Sequence, residues 1–231
     1  MADNPLLDEL AKNPPCLLPV GHGQQVAYAI SVSLLGYLND HLQPGMDTLE
    51  TGAGVSTVLF ALRGTRHTAI APSAALGRNI RAYCLEKGIA PDGIEFIADR
   101  SETVLPRMAP TPLDLVLIDG RHAFPSPIID WYYTAERLRV GGIMIIDDIP
   151  LWPPRVLHDF LNGEEEWELV RTLERRTAVY RKLAEGSHNK GCAAQPYSRA
   201  RSKPRQALLL GAAELLLRGR FSTLASILQR R

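Results

Sequence analysis

The stretch "DTLETGAGVSTVLFA", residues 47–61, sets an acidic residue at the end of a short apolar run, then two glycines two apart, then Ser-Thr and a second apolar run. The first run has strand length; the segment after the glycines, "STVLFALRG" (56–64), has helical length and a glycine stop. The stretch is therefore predicted as strand, tight turn, helix. Glycines at Gly52 and Gly54 open backbone conformations closed to residues with a Cβ and let a ligand approach the main chain. Glu50, at the strand end, offers a carboxylate to a cationic or hydroxylated ligand.

The same alternation continues on both sides. "RHTAIA" (66–71) and "AALGRNIRAYCLEKG" (74–88) read as strand and helix, "GIEFIA" (93–98) as a third strand, and "ETVLPRM" as a short helix. "LDLVLIDG" (113–120) is a continuous apolar run of the kind buried on both faces of a parallel sheet. "SPIIDWYYTAERLRVGG" reads as a helix stopped by paired glycines, with Trp131, Tyr132 and Tyr133 read as core and a substrate platform as the alternative, and "IMIIDD" (143–148) as a fifth strand. Upstream, residues 24–42 have helical spacing. Strand–helix units in series imply a doubly wound α/β sheet, whose ligands sit outside the carboxyl ends of the strands where strand order reverses. Beyond Pro150, "WELVRTL" and "TAVYRKL" are strand-like runs separated by "ERR", which reads as an antiparallel hairpin at one sheet edge.

Four segments follow: an N-terminal helical cap (1–45), a core (46–185), a basic linker (186–206) and an amphipathic helix (207–231) with Leu210, Leu217, Phe221, Leu224 and Leu228 on one stripe. Residues 1–185 carry 17 Lys/Arg against 24 Asp/Glu, and residues 186–231 carry 9 against 1. The terminal helix is expected to dock on its own body or on a second subunit, with an anionic surface as the alternative. Three cysteines, Cys16, Cys84 and Cys192, lie far apart without metal-ligand spacing, so neither a disulfide framework nor a zinc site is indicated. With no apolar run approaching the ~20 residues of a membrane span and an acidic N-terminus, the chain is expected to be soluble and cytoplasmic.

A dinucleotide fingerprint would place glycine at the sixth position of G-x-G-x-x-G, where this chain has Thr57, and the Gly-Lys-Ser/Thr of a P-loop is absent. "LETGAGVST" resembles the first motif of class I S-adenosylmethionine-dependent methyltransferases. "LDLVLIDGRH" resembles the fourth-strand motif of their small-molecule O-methyltransferase-like branch, "LRVGGIMIIDD" resembles its fifth strand, and the terminal hairpin is a mark of that fold. The resemblance covers roughly residues 46–183. It implies a mostly parallel, seven-stranded, Rossmann-like sheet in which Glu50, Gly52 and Gly54 contact the amino-acid part of S-adenosylmethionine, with Ala53 and Ser56 in the same turn. It also implies adenine contacts from Asp99 and Ser101 and a cofactor contact from Asp119. Family members carry an acid at the end of the second strand for the ribose hydroxyls; here that place reads "AIAPS", leaving Ala71 and a single hydroxyl, Ser73.

If the fourth and fifth strands are neighbours, Asp119, Asp147 and Asp148 end at one rim with strand axes about 5 Å apart. Three carboxylates so placed repel unless a cation or protons offset them, and Mg²⁺ takes oxygen ligands of this sort. The catechol-type O-methyltransferases, which this part resembles, bind such a metal through an Asp and an Asp-Asn pair; here the pair is Asp-Asp. His122 stands where that group has a lysine base, and a histidine titrates near neutrality. Asp119 alternatively caps its turn or touches the cofactor, Asp147 and Asp148 alternatively cap the next helix, and His22 is a loop histidine near the sheet rim. The expected function is methyl transfer from S-adenosylmethionine to a hydroxyl oxygen of a small molecule, with Mg²⁺ as a candidate aid. The alternatives are a non-catalytic binding protein of the same fold, favoured by Ala71, and a nicotinamide-linked oxidoreductase. An RNA-binding signature and the Asn/Asp-Pro-Pro-Tyr motif of base methylation are both missing, so no nucleic-acid partner is expected.

Overall fold

A computed structural model describes residues 5–17, 30–186, 190–202, 213–214 and 217–219. It divides into two units, residues 1–190 and residues 191–231.

In the first unit, the stretch 47–61 folds as its residues predict: strand β1 (Asp47–Thr51), a turn, and helix α3 (Val55–Leu62). Two helices precede them, α1 (Pro5–Lys12) and α2 (Val32–His41). Then come β2 (Arg66–Ile70), α4 (Ala74–Glu86), β3 (Ile94–Ile97), the short α5 (Ser101–Val104), β4 (Leu113–Ile118), α6 (Ser126–Ala135), β5 (Leu138–Ile146), α7 (Trp152–Leu161), β6 (Trp167–Leu173) and β7 (Thr177–Lys182). The strands form one seven-stranded sheet in the order β3-β2-β1-β4-β5-β7-β6. β1 to β5 run parallel, and β7 lies antiparallel to both β5 and β6.

β4 shows why a continuous apolar run was needed. Leu115 and Leu117 enter the core formed with α1 to α4, while Val116 and Ile118 enter the core formed with α6 and α7, all four buried. Alternate side chains point to opposite faces, so a strand covered on both sides has no polar position to spare.

Three expectations need correction. The helix read over "SPIIDWYYTAERLRVGG" ends at Ala135, and β5 begins already at Leu138, which pairs with Leu113 before a register shift at Leu115. Tyr132 and Tyr133 are exposed at 45% and 36%; Trp131 alone of the three is core, packed edge-on to Phe160 at 5.0 Å. α1 is an additional element, seated by buried Leu10 and by Glu9, whose carboxylate pairs with Lys87 of α4 at 2.5 Å. No helix among the described residues is long and apolar enough to cross a membrane.

In the second unit, a 3₁₀ turn (Cys192–Ala194) and helix α8 (Pro196–Arg201) are described, with Arg201 stacked 3.7 Å over Tyr197. The leucine stripe of 207–231 lies outside the described residues except Leu217, which is exposed, and His22 lies outside them too.

Candidate active site at the carboxyl rim

The turn after β1 is sewn from beneath. Glu50 is 1% exposed, and its carboxylate accepts from Ser56 Oγ at 2.6 Å and from Thr57 Oγ1, both in the first turn of α3. His67 of β2 brings Nε2 to 3.2 Å from the same carboxylate; its Nδ1 lies 2.8 Å from Thr48 Oγ1, and its ring stacks on Phe60 at 3.9 Å. Thr57 Oγ1 also accepts from Gly54 N at 3.0 Å. The residue that spoils the dinucleotide fingerprint is thus the one that ties the turn together. The acid expected to meet the ligand faces inward, and it acts on the turn by fixing α3's first residues.

Gly52 has φ +97°, and a Cβ there would lie 2.4 Å from the backbone oxygen of Asp119. That approach joins the turn to the end of β4, where Asp119 N donates to Thr51 O at 3.0 Å. The ladder continues outward with Asp147 N donating to Ile118 O at 3.0 Å, so the ends of β1, β4 and β5 lie side by side. This is the reversal point of the sheet, since β1 is flanked by β2 on one side and β4 on the other.

The rim carries a charged group. His122 sets Nε2 3.5 Å from Asp119 Oδ1 and Nδ1 3.4 Å from Asp148 Oδ2. Arg176, the last residue of the β6–β7 turn, places Nη2 3.0 Å from Asp147 Oδ2 and Nε 2.8 Å from Asp148 Oδ1. Asp147 is fully buried, and its other oxygen accepts from Thr177 Oγ1. Burial pushes Asp119 up to about 6; His122 opposes this, and Asp147 and Glu50 add to it. The bond to Asp119 raises His122 above its ordinary value against burial, with Asp148 and Asp147 helping. Neighbouring acids and a base perturb one another across this small group.

Residues 49–149 match the family described as "Methyltransferase domain". Over this stretch the chain is similar to a methyltransferase domain. The Mycobacterium tuberculosis (strain H37Rv) protein named "Probable O-methyltransferase Rv1220c" is 34% identical over 103 residues, which are 42% of this chain and 43% of that protein. The chain thus matches less than half the length of this curated relative. Cofactor-bound Rv0187 from MTB shares the fold at 18% identity, TM-score 0.59, over 69% of this chain and 84% of that one. The O-methyltransferase TomG from Streptomyces achromogenes, solved with SAM, does so at 19% identity, TM-score 0.53, over 68% and 82%. Solved rRNA methylases share the fold as well, so the fold by itself names no acceptor.

Within the matched stretch the other expected residues take varied places. Ser56 spends its hydroxyl on Glu50, and Ala53 is half-buried in the turn. Ser73 caps α4 by accepting from Leu76 N at 3.3 Å, and Ala71 is buried, so no acid stands at the end of β2. Asp99 is exposed and accepts from Arg100 N at 2.7 Å. Ser101 opens α5 with its hydroxyl toward Asp130.

Of the expected metal ligands, Asp147 is unsuited, because Arg176 and Thr177 take both its oxygens. The set with ligand atoms close enough to share an ion, among the described residues, is Asp119, His122 and Asp148. Two residues of the site escaped the sequence reading. Arg176 is one. Asp130 is the other: 1% exposed, it is pushed up to about 6 by burial, eased by the hydroxyls of Ser101 and Thr51. Its signal was an acid inside an apolar helical run. A cavity of about 420 Å³ lined by Asp47, Arg66, Glu95 and Arg137 lies at the opposite, amino ends of the strands, away from this group.

Proposed function

We propose that the protein transfers a methyl group from S-adenosylmethionine to a hydroxyl oxygen of a small molecule. The observation that carries this reading is the junction of the glycine turn with the Asp119–His122 pair at the sheet's reversal point, where Gly52 touches the Asp119 backbone. A cofactor seated against the main chain of residues 51–54, with its adenine end toward Asp99 and Ser101, would present its sulfonium methyl near His122. The family match and the curated relative's name support methyl transfer to oxygen.

His122 supplies the proton chemistry in this reading. As the neutral imidazole it can accept the proton of an acceptor hydroxyl, and Asp119 and Asp148, 3.5 Å and 3.4 Å from its ring nitrogens, then hold the resulting imidazolium. Attack of the oxygen on the methyl carbon breaks the methyl–sulfur bond and leaves S-adenosylhomocysteine. Phe124 and Trp152 stand beside the rim, 59% and 64% exposed with rings 5.4 Å apart, and favour an acceptor with a flat apolar face. Mg²⁺ through Asp119, Asp147 and Asp148 does not fit, because Asp147 is already satisfied, and no step is assigned to it.

The missing acid beyond β2 gives a second reading some weight, a protein that binds the cofactor without transferring its methyl. Incubation with methyl-labelled S-adenosylmethionine and separate pools of hydroxylated aromatic compounds and RNA decides between them. Label in the aromatic pool, lost in His122→Gln, is the expected result. Label in RNA alone overturns the assigned acceptor, and cofactor binding with no label anywhere favours the second reading.

A further inference from the structure

Three carboxylates meet at the rim, yet an arginine and a histidine already serve them. Arg176 bridges Asp147 and Asp148, and His122 bridges Asp148 and Asp119. The backbone is bent to achieve this. Among the described residues, the non-glycine positions with positive φ are Asp148 (53°), Glu174 (48°) and Arg175 (55°). Asp148 is a member of the group, and Glu174 and Arg175 form the hairpin turn that delivers Arg176. Left-handed conformations disfavour residues with side chains, and such outliers gather where the surrounding structure has a use for them. The turn is also anchored from outside: Glu174 Oε1 accepts from Ser33 N at 3.2 Å and Ser33 Oγ at 2.5 Å, in the first turn of α2.

We propose that Arg176 fills the electrostatic role a divalent cation would otherwise take at this rim, so that the site carries no resident metal. Mg²⁺ demands a near-octahedral shell of free oxygen ligands. Here both oxygens of Asp147 are committed, and those of Asp148 face Arg176 and His122. A cation placed among Asp119, His122 and Asp148 would face the guanidinium on Asp148's far side and would have to displace the imidazole from its carboxylates. The rim instead holds its acids with protein-borne charge, leaving the partly exposed His122 and Asp119 side chains as the groups nearest to an acceptor. Arg176 is thus a positioning residue, acting through Asp147 and Asp148.

The inference rests on the rim being the reacting centre of the proposed methyltransferase, and its test reads the rim independently of cofactor or acceptor. Mn²⁺ is titrated into the full chain and followed by electron paramagnetic resonance, for the wild type, Arg176→Lys and Arg176→Gln, with folding checked by circular dichroism. The wild type and Arg176→Lys should show no binding tighter than millimolar. Arg176→Gln removes one unit of positive charge next to two carboxylates and should tighten Mn²⁺ at least ~10-fold, the scale on which a close charge shifts ionic equilibria. Asp148→Asn added to that variant should abolish the gain. Micromolar Mn²⁺ binding by the wild type that is lost in Asp119→Asn overturns the proposal, as does a folded Arg176→Gln that binds no tighter than wild type. If Arg176→Gln does not fold, the wild-type and Arg176→Lys titrations still decide. Calorimetry with S-adenosylhomocysteine on the same samples separates a failure here from a failure of the methyltransferase reading.

Discussion

His122 lies between two carboxylates, and this fixes the direction of two pH effects. Its proton affinity is raised from the ordinary value of 6.5, so the neutral imidazole needed to accept a proton forms only as pH climbs past that value. Methyl transfer should therefore rise as pH climbs above 6.5. In His122→Gln this limb should vanish and turnover should fall by about 10²-fold or more, the usual worth of a positioned base, while S-adenosylhomocysteine affinity stays unchanged. A pH–rate profile of both proteins checks this, and an identical alkaline limb in the variant contradicts it. Stability runs the other way. His122 is raised and Asp119 is pushed up to about 6, so both favour the protonated folded state. Their contribution is complete below the ordinary values and is lost as pH rises through the folded ones. The melting-temperature advantage of wild type over His122→Gln should shrink as pH rises above the ordinary imidazole value. At Gly52, φ +97° and the 2.4 Å approach to Asp119 O leave no room for a methyl group. Gly52→Ala should cost about 2 kcal/mol or more from backbone strain and overpacking, read by denaturant unfolding. The glycine pair was legible because its purpose is local. The inward turn of Glu50 was not, because sequence spacing does not say which face of a strand covered on both sides will hold the polar partners.

The hairpin of β6 and β7 was readable as an element, since its two β-rich runs flank a short polar turn. What it does was not. "ERR" looks like turn punctuation, and the purpose of its last arginine depends on acids 28 and 29 positions earlier, brought close only by the antiparallel pairing of β5 with β7. Two substitutions probe the element apart from the chemistry. Arg175→Gly relieves a left-handed residue, worth about 1–2 kcal/mol, against the larger unfolded-state entropy of glycine, about 0.5–1 kcal/mol. A net gain of roughly 0.5 kcal/mol in unfolding free energy is expected, and a loss of stability would show that the turn is not strained. At the other end of β7, Lys182 is 3% exposed and donates to Ala135 O at 2.9 Å and Leu138 O at 2.7 Å, latching the hairpin to the junction of α6 and β5. Lys182→Met strands two buried carbonyls and should cost about 2–4 kcal/mol, measured by thermal unfolding. β5's early start at Leu138 was hidden by Gly141 and Gly142, which read as a stop but lie within the strand.

Across the whole molecule, the doubly wound parallel class of the sheet followed from the alternation of apolar runs and helical segments, because parallel strands buried on both faces leave a strong compositional trace; the order of the strands is seen only in the structure. The family match ends at residue 149, whereas Arg176 comes from the hairpin beyond it. The rim thus draws part of its charge from sequence beyond the matched residues. α1 lies within the stretch read as a helical cap but was not singled out, although Leu6, Leu7 and Leu10 fall on one face of it; it is held by packing and by the Glu9–Lys87 pair. The central claim is that the crevice between β1 and β4 seats the sulfonium cofactor, and isothermal calorimetry with S-adenosylhomocysteine tests it most directly. Saturable one-to-one binding by the wild type, lost in a folded Gly52→Val variant, is the predicted result. An absence of heat at millimolar ligand from a folded wild-type protein, or binding that Gly52→Val leaves intact, would contradict it.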